Sequence, residues 1–321
     1  MSRMSRRCLA VAAGLLLDRV LGELPAAVHP VAGFGRVMER VERVLWADRR
    51  VNGLVYAAAG VAAGVVTGLK GGSTATATAT VTWVVVAGRQ LRRIANRIGK
   101  MVQAGDLEQA RTELPSLVGR NPSSLDASGI AAAVIESVAE NSVDAVIAPV
   151  FWAAVAGAPG AAAYRAINTM DAMVGHRNER YRNFGWAAAR LDDAANYVPA
   201  RIFASLVAVS QKLPAKDILT TVRRDAATHP SPNAGVAEAA MAAALQRQLG
   251  GPLHYGNVRD GSVREERPLL GDGPRPHPKD VRTAIGIANR IEWIAVALLF
   301  LIWAVHRICR HLGYPSAYVA T

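Results

Sequence analysis

The chain has 321 residues, with 37 Lys and Arg against 25 Asp and Glu, a net charge of +12. Apolar residues make up 51% and charged residues 19%, and the mean hydropathy is +0.16. This content excludes a disordered chain; two cysteines exclude a disulfide scaffold, and the low charge disfavours an ordinary soluble domain, where about 25% is usual. What remains is a membrane protein with Arg-rich loops.

Taken in chain order, residues 8–28 are apolar but interrupted by Asp18, Arg19 and Glu23. Ser5-Arg6-Arg7 before them has a twin-Arg flavour, but no small-x-small cleavage site follows, so the segment reads as an uncleaved anchor. From His29 to Trp46 the sequence predicts an amphipathic interfacial helix. Val37, Val41, Val44 and Leu45 lie on one face, opposite Arg36, Glu39, Arg40 and Arg43. Residues 51–69 carry no charge and approach the roughly 20 residues that span a bilayer. Residues 73–88 are also uncharged, and their Thr/Ala alternation has the period of a strand. A lone strand in lipid leaves its backbone unpaired, whereas Thr hydroxyls on a helix bond back to the preceding turn. The two runs therefore read as a helical hairpin.

Basic residues flank that hairpin: Arg36, Arg40, Arg43, Arg49 and Arg50 before it, and Arg89, Arg92, Arg93, Arg97 and Lys100 after it. Both flanks are expected inside, with Lys70 outside. Arg3, Arg6 and Arg7 also favour the inside, so 8–28 is re-entrant or interfacial, or an exception to the rule. Residues 145–163 are apolar but broken by Pro149, Gly157, Pro159 and Gly160. Residues 202–211 are too short to cross alone. Residues 293–305 are short as well, with Arg307 and Arg310 placed to snorkel. The dispersed Arg residues, with 6% aromatics, carry no nucleic-acid motif. Cys8 and Cys309 read as free thiols.

Chemistry concentrates in the middle. Glu136, Glu140 and Asp144 recur every four residues, an acidic helix stripe among Ala, Val and Ile. Like charges at that spacing repel, and a cation relieves them. Mg²⁺ held by one or two carboxylates plus substrate phosphates fits; an acidic face paired with Arg is the plainer alternative. Further on, Asn168 and Asp171 lie one turn apart, and Asn196 lies one turn after the adjacent Asp192 and Asp193. Such oxygen donors suit a hard cation. Arg177, Arg180 and Arg182 could clamp a phosphate, although any one of them alone is more simply a loop arginine. His176 reads as a hydrogen-bonded histidine, with general-base use a minority reading. Neither a Walker A motif nor a Gly-x-Ser-x-Gly elbow occurs. Ser231 and Pro232 predict the start of a helix over 234–249, and the Gly/Pro-rich stretch 250–282 reads as a long loop.

The block ESVAENSVDAVIAPVFWAAVAGAPGAAAYRAINTMDAMVGHRNERYRNFGWAAARLDDAANYVPAR, residues 136–201, resembles the signature of the adenosylcobinamide-phosphate synthases, the CobD/CbiB family of cobalamin biosynthesis. The resemblance extends to the HPV segment at His29, GDLEQAR at 105–111, LVGR at 117–120, and HPSPNAG and LGG at 229–251. It departs at Asn121, where the family usually has an acid, and at His176, where it often has Tyr. The second departure argues against His176 as an essential base.

The resemblance implies an integral enzyme of the cell membrane, multi-pass, with its site facing the cytoplasm. It implies an amide between the f propionate of adenosylcobyric acid and aminopropanol or its O-phosphate. ATP and Mg²⁺ are expected to activate the carboxylate, without a P-loop and without a structural metal. The expected catalytic residues are Glu136, Glu140, Asp144, Asp171, Asp192 and Asp193. The expected metal ligands are Glu140, Asp144, Asp192 and Asp193. Substrate contacts are expected from Asn141, Asn168, Arg177, Asn178, Arg180, Asn196, Ser231 and Asn233. The fold expectation is all-α and polytopic, with amphipathic and re-entrant helices and long cytoplasmic loops. It is taken as one membrane-embedded domain in three stretches, 1–100, 101–233 and 234–321, with four or five crossings. Expected partners are the bilayer and no nucleic acid, with a complex with other corrinoid-assembly enzymes left open. A membrane Mg-dependent phospho-alcohol or prenyl transferase, and a non-catalytic corrinoid transporter or scaffold, stay open as alternatives.

Overall fold

A computed structural model describes residues 3–72, 74–119, 121–176, 178–251, 253–255, 263–265 and 267–311. Thirteen α-helices follow one another among these residues: α1 (Arg3–Leu21), α2 (Pro30–Leu45), α3 (Arg50–Lys70), α4 (Ala75–Val85), α5 (Gly88–Gln103), α6 (Leu107–Glu113), α7 (Ala127–Ser142), α8 (Ala148–Ala156), α9 (Ala158–Val174), α10 (Trp186–Ser210), α11 (Ala215–Asp225), α12 (Ala234–Leu245) and α13 (Pro278–His311). Between α12 and α13 lie four strands of two or three residues: β1 (Leu249–Gly250), β2 (Leu253–Tyr255), β3 (Val263–Glu265) and β4 (Leu269–Leu270). β1 pairs antiparallel with β4, and β2 with β3. The expected all-α class therefore holds, with two short ribbons inside the stretch read as loop. The helices form two compact units interleaved along the chain.

The first unit comprises Met1–Ala87, Asp144–Asn196 and Trp293–Thr321. In it, α3 packs on α9 through a stripe of small residues. Gly60, Gly64 and Gly68 recur every four residues and are all buried. A Cβ at Gly64 would stand 2.9 Å from the Ala162 carbonyl, and one at Gly68 would stand 2.5 Å from the Pro159 Cα. Small residues let the two backbones approach in this way. The Thr/Ala run is helical, as expected. Thr74 caps it, with its Oγ1 accepting the Ala77 N–H at 3.1 Å. Thr78 and Thr82 donate back to the carbonyls of Thr74 and Thr78 at 3.2 and 2.7 Å. Past Val155 the helix breaks where expected: Gly157 at φ +72 separates α8 from α9, a conformation that costs other residues strain.

In the second unit, Gly88–Val143 and Tyr197–Glu292, α7 and α12 are buried nearly all round, as core helices are. Helix α5 buries Leu91, Ala95, Ile98 and Val102 on one face.

Several expectations are corrected. Two helices among the described residues are long and apolar enough to cross a membrane, Arg50–Lys70 and Pro278–Cys309, fewer than the four or five expected. The second hairpin arm is an 11-residue helix, because the backbone turns extended at Val86. The final apolar run is part of a far longer helix that starts at Pro278, since Pro at the first position leaves no amide unpaired. The buried line of α2 is rotated from the one expected: Met38 and Glu42 are interior, while Val37 and Val44 are exposed. Pro232 lies outside α12, which starts at Ala234 and ends at Leu245, where Gln246 turns left-handed.

Candidate functional site

A polar cluster in the first unit is built around Tyr164 on α9. Its hydroxyl donates to Asn196 Oδ1 at 2.8 Å and reaches the Asp144 carbonyl at 3.3 Å. Asn196, one turn after Asp192 on α10, donates from Nδ2 to Asp192 Oδ2 at 2.9 Å. Asn168, one turn after Tyr164, donates to Asp192 Oδ1 at 3.3 Å. Asn168 in turn accepts from Arg165 Nη1 at 3.3 Å. Asp192 is thus gripped by two neutral amides from two helices.

Tyr164 and Asn196 are buried. Burial first, and then the charges of Asp144 and Asp192, hold the Tyr164 phenol well above its usual range, so it acts as a neutral donor. Asp144 lies in a five-residue π-helical turn, Val143–Ile147, between α7 and α8. Such turns frequently occur at functional sites. The charge of Arg165 also reaches His29, the cap of α2, whose Nδ1 accepts the Val31 N–H at 3.2 Å. Burial, and then Arg165, hold the His29 imidazole below its ordinary value.

The second unit holds a separate set. Glu136, 3% exposed, accepts the Gly250 N–H at 2.9 Å. Glu238, the lone acid of α12, lies 3.8 Å from His229 Nε2 and 4.0 Å from Arg267 Nη1. Ser231 Oγ accepts the amides of Asn233 and Ala234 at 3.3 and 3.1 Å. Asn233 Oδ1 accepts from Arg201 Nη1 at 3.1 Å. Asn141 donates to the Ser137 carbonyl at 3.0 Å, and Glu140 is exposed.

The other expected residues are placed as follows. Asp171 is half-buried on α9, one turn after Asn168. Asp193 Oδ2 lies 3.5 Å from Arg190. Asn178 closes a turn by accepting the Tyr181 N–H at 2.9 Å. Arg180 holds the buried Glu42 at 3.0 Å and stacks over Trp46 at 4.7 Å. Arg177 lies outside the described residues.

The structure therefore joins Asp144, Asn168, Asp192 and Asn196, while Glu136 and Glu140 belong to the other unit. Among the described residues no three of His, Cys, Asp and Glu gather as a cation site would need, so Glu140, Asp144, Asp192 and Asp193 form no such group by themselves. Sequence reasoning missed Tyr164, Arg165 and Glu238 as site residues. Their signal was a phenol and a charge side by side, Tyr164-Arg165, or a lone acid, Glu238, in an Ala-rich helix.

The described residues thus form a helical protein with two helices of crossing length and a polar cluster in which one carboxylate, Asp192, is gripped by two amides. The CobD/Cbib protein family matches residues 11–288. The cobalamin biosynthesis protein CobD of Mycobacterium tuberculosis is 43% identical over 305 residues, covering 92% of this chain and 96% of that one. The CobD proteins of Chromobacterium violaceum and Rhodobacter capsulatus are 40% and 39% identical over 309 and 291 residues. They cover 91% and 86% of this chain, and 96% and 91% of their own. No solved structure matches. The chain belongs to the CobD/CbiB family.

Proposed function

We propose that this protein is an amide-forming synthase of cobalamin biosynthesis. In this reading it joins the f-propionate carboxylate of adenosylcobyric acid to the amine of aminopropanol or its O-phosphate. The observation that carries the reading, beside family membership, is the Tyr164–Asn196–Asp192–Asn168 cluster, which holds both oxygens of a carboxylate by neutral donors in an apolar chain. A carboxylate does not accept an amine unaided, because oxide is a poor leaving group. Phosphoryl transfer from ATP gives an acyl phosphate and ADP; the amine then displaces phosphate and gives up a proton.

Asp144 and Asp192 would face the nucleotide. A Mg²⁺ arriving with the nucleotide phosphates needs only one or two protein carboxylates, and it would neutralise charge developing on the transferred group. Tyr164 and the two amides keep Asp192 in place. Asp171, one turn from Asn168, is positioned to take the ammonium proton. The site would sit at the cytoplasmic face of the cell membrane, with α3 and α13 anchoring the chain in the bilayer.

The test is a coupling assay on detergent-solubilised protein with adenosylcobyric acid, aminopropanol phosphate and Mg-ATP, read by mass spectrometry of the corrinoid. A mass gain of one new amide is expected from wild type and absent without ATP. Asp192→Asn should cut turnover by about 100-fold or more, the range of a positioned acid–base or charge-stabilising group. Product formed equally well without ATP would sink the ligase reading. Uptake into sealed vesicles with no new amide would favour the transporter reading instead.

A further inference from the structure

Arg165 has no role in the chemistry so far. Its guanidinium is fixed on one side by the neutral Asn168 amide, through Nη1 at 3.3 Å. Its backbone is fixed too, since the Thr169 hydroxyl bonds the Arg165 carbonyl at 2.7 Å. Its Nε is buried and meets no hydrogen-bond acceptor among the described residues. A buried guanidinium N–H left without an acceptor is costly, and it is an expensive thing to keep for structure alone. The positive charge is felt at His29 and Glu23, on the segment that leads into α2. It stands one turn from Asn168, whose amide holds Asp192. A planar fork of donors with an unpaired edge is the group that recognises carboxylate or phosphate oxygens in pairs.

We propose that Arg165 binds an oxyanion of a substrate, through the Nε edge of its guanidinium, beside the Asp192 cluster. This deepens the synthase reading and rests on it. The oxyanion has three sources in that reaction: the propionate carboxylate of the corrinoid, the phosphate of the amine donor, or a phosphate of the nucleotide. Arg165 is a binding residue in this assignment, and Asn168 positions it.

The experiment compares wild type with Arg165→Lys and Arg165→Gln, first by melting temperature and then by steady-state kinetics with each substrate varied in turn. Arg165→Gln should raise KM for one anionic substrate about 10- to 100-fold, as loss of a paired contact does. The KM of the other substrates should move less than about twofold, and Arg165→Lys should recover only part of the loss. If the penalty disappears when aminopropanol replaces its phosphate, the oxyanion is the donor phosphate. If it follows adenosylcobyric acid, it is the carboxylate; if it follows ATP, it is a nucleotide phosphate. Equal changes in every KM, or none, in variants that melt like wild type would overturn the assignment.

A second measurement does not depend on turnover. Phenylglyoxal modification of Arg165 in wild type, read by peptide mass spectrometry, should fall at least fivefold when adenosylcobyric acid or pyrophosphate is present. Unchanged modification with both probes overturns the proposal even where Arg165→Gln fails to fold. Protection at Arg165 from a wild-type protein that makes no amide would instead leave the oxyanion site standing and reject the synthase reading.

Discussion

Asp192 shows how a single carboxylate is held by neutral groups on two helices. Both its oxygens accept from neutral amides, Asn168 and Asn196, and Asn196 is itself held by the Tyr164 hydroxyl. Each link depends on the one behind it. Tyr164→Phe removes the donor to a buried Asn196 oxygen, so it should lower stability by about 1–3 kcal/mol, read as a fall in melting temperature. It should also raise the apparent Mg-ATP requirement of the coupling assay. An unchanged melting point would mean that the hydroxyl carries no stability.

A different residue governs the acid limit. The Arg224 guanidinium beside Asp225, helped by the Gly271 N–H at 2.8 Å, holds this carboxyl below the usual carboxylate range against the opposing push of burial. Its folded value lies below its unfolded one, so its stabilisation is present above about pH 3.9. It is lost as pH falls from there through the folded value. Asp225→Asn should therefore lower the melting temperature at pH 7 and shrink the drop between pH 5 and pH 3. A drop as steep as in wild type would refute this.

At the scale of elements, close approach is the theme. Helix α3 meets α9 over Gly60, Gly64 and Gly68, where any side chain would run into backbone or into Met170. Gly64→Ala should cost about 1–3 kcal/mol by overpacking, and Gly64→Leu should prevent folding. A melting scan of the Ala variant in detergent checks this, with Gly35→Ala as a control because a Cβ there meets nothing within 4 Å. Gly157→Ala should be harmful for another reason: φ +72 with ψ −154 is essentially a glycine conformation and strains an L residue by about 1–3 kcal/mol. Helix α2 is fastened differently. Glu42 is interior because Arg180 and the Tyr181 hydroxyl, at 3.0 and 2.9 Å, both claim it. On the same side Phe34, Met38, Val41 and Leu45 pack on the apolar core, which leaves Val37 and Val44 facing outward.

For the whole molecule, the chain passes between its two compact units four times, at positions 87/88, 143/144, 196/197 and 292/293. Helices α10 and α13 each contribute to both units. Helices α3 and α13 expose Val51, Leu54, Val55, Val66 and Leu69, and Leu298, Leu301, Ile302, Val305 and Ile308. Exposed apolar surface of that extent suits a bilayer. The protein should therefore stay with the membrane pellet through alkaline carbonate extraction and leave it only with detergent. Release by carbonate alone would show a peripheral protein and reject the anchoring assigned to α3 and α13.

The sequence by itself determined the helical class, the family, the broken segment at Gly157 and the helical state of the Thr/Ala run. The family follows from the signature block at 136–201, and the rest from local rules: apolar periodicity, glycine and proline breaks, and hydroxyls that bond one turn back. It also placed Asp192 one turn before Asn196, because that spacing is fixed by the helix. It could not say that Asp144 would join them while Glu136 and Glu140 went to the other unit. The even spacing of those three acids looks like one stripe, and only the π-helical turn and the division of the chain separate them. Arg165 and Tyr164 were hidden for the same reason: their significance comes from residues on other helices. Which buried donor lacks an acceptor, and which charge meets it, are decided by helices packing across the chain, where tertiary contact overrides sequence distance.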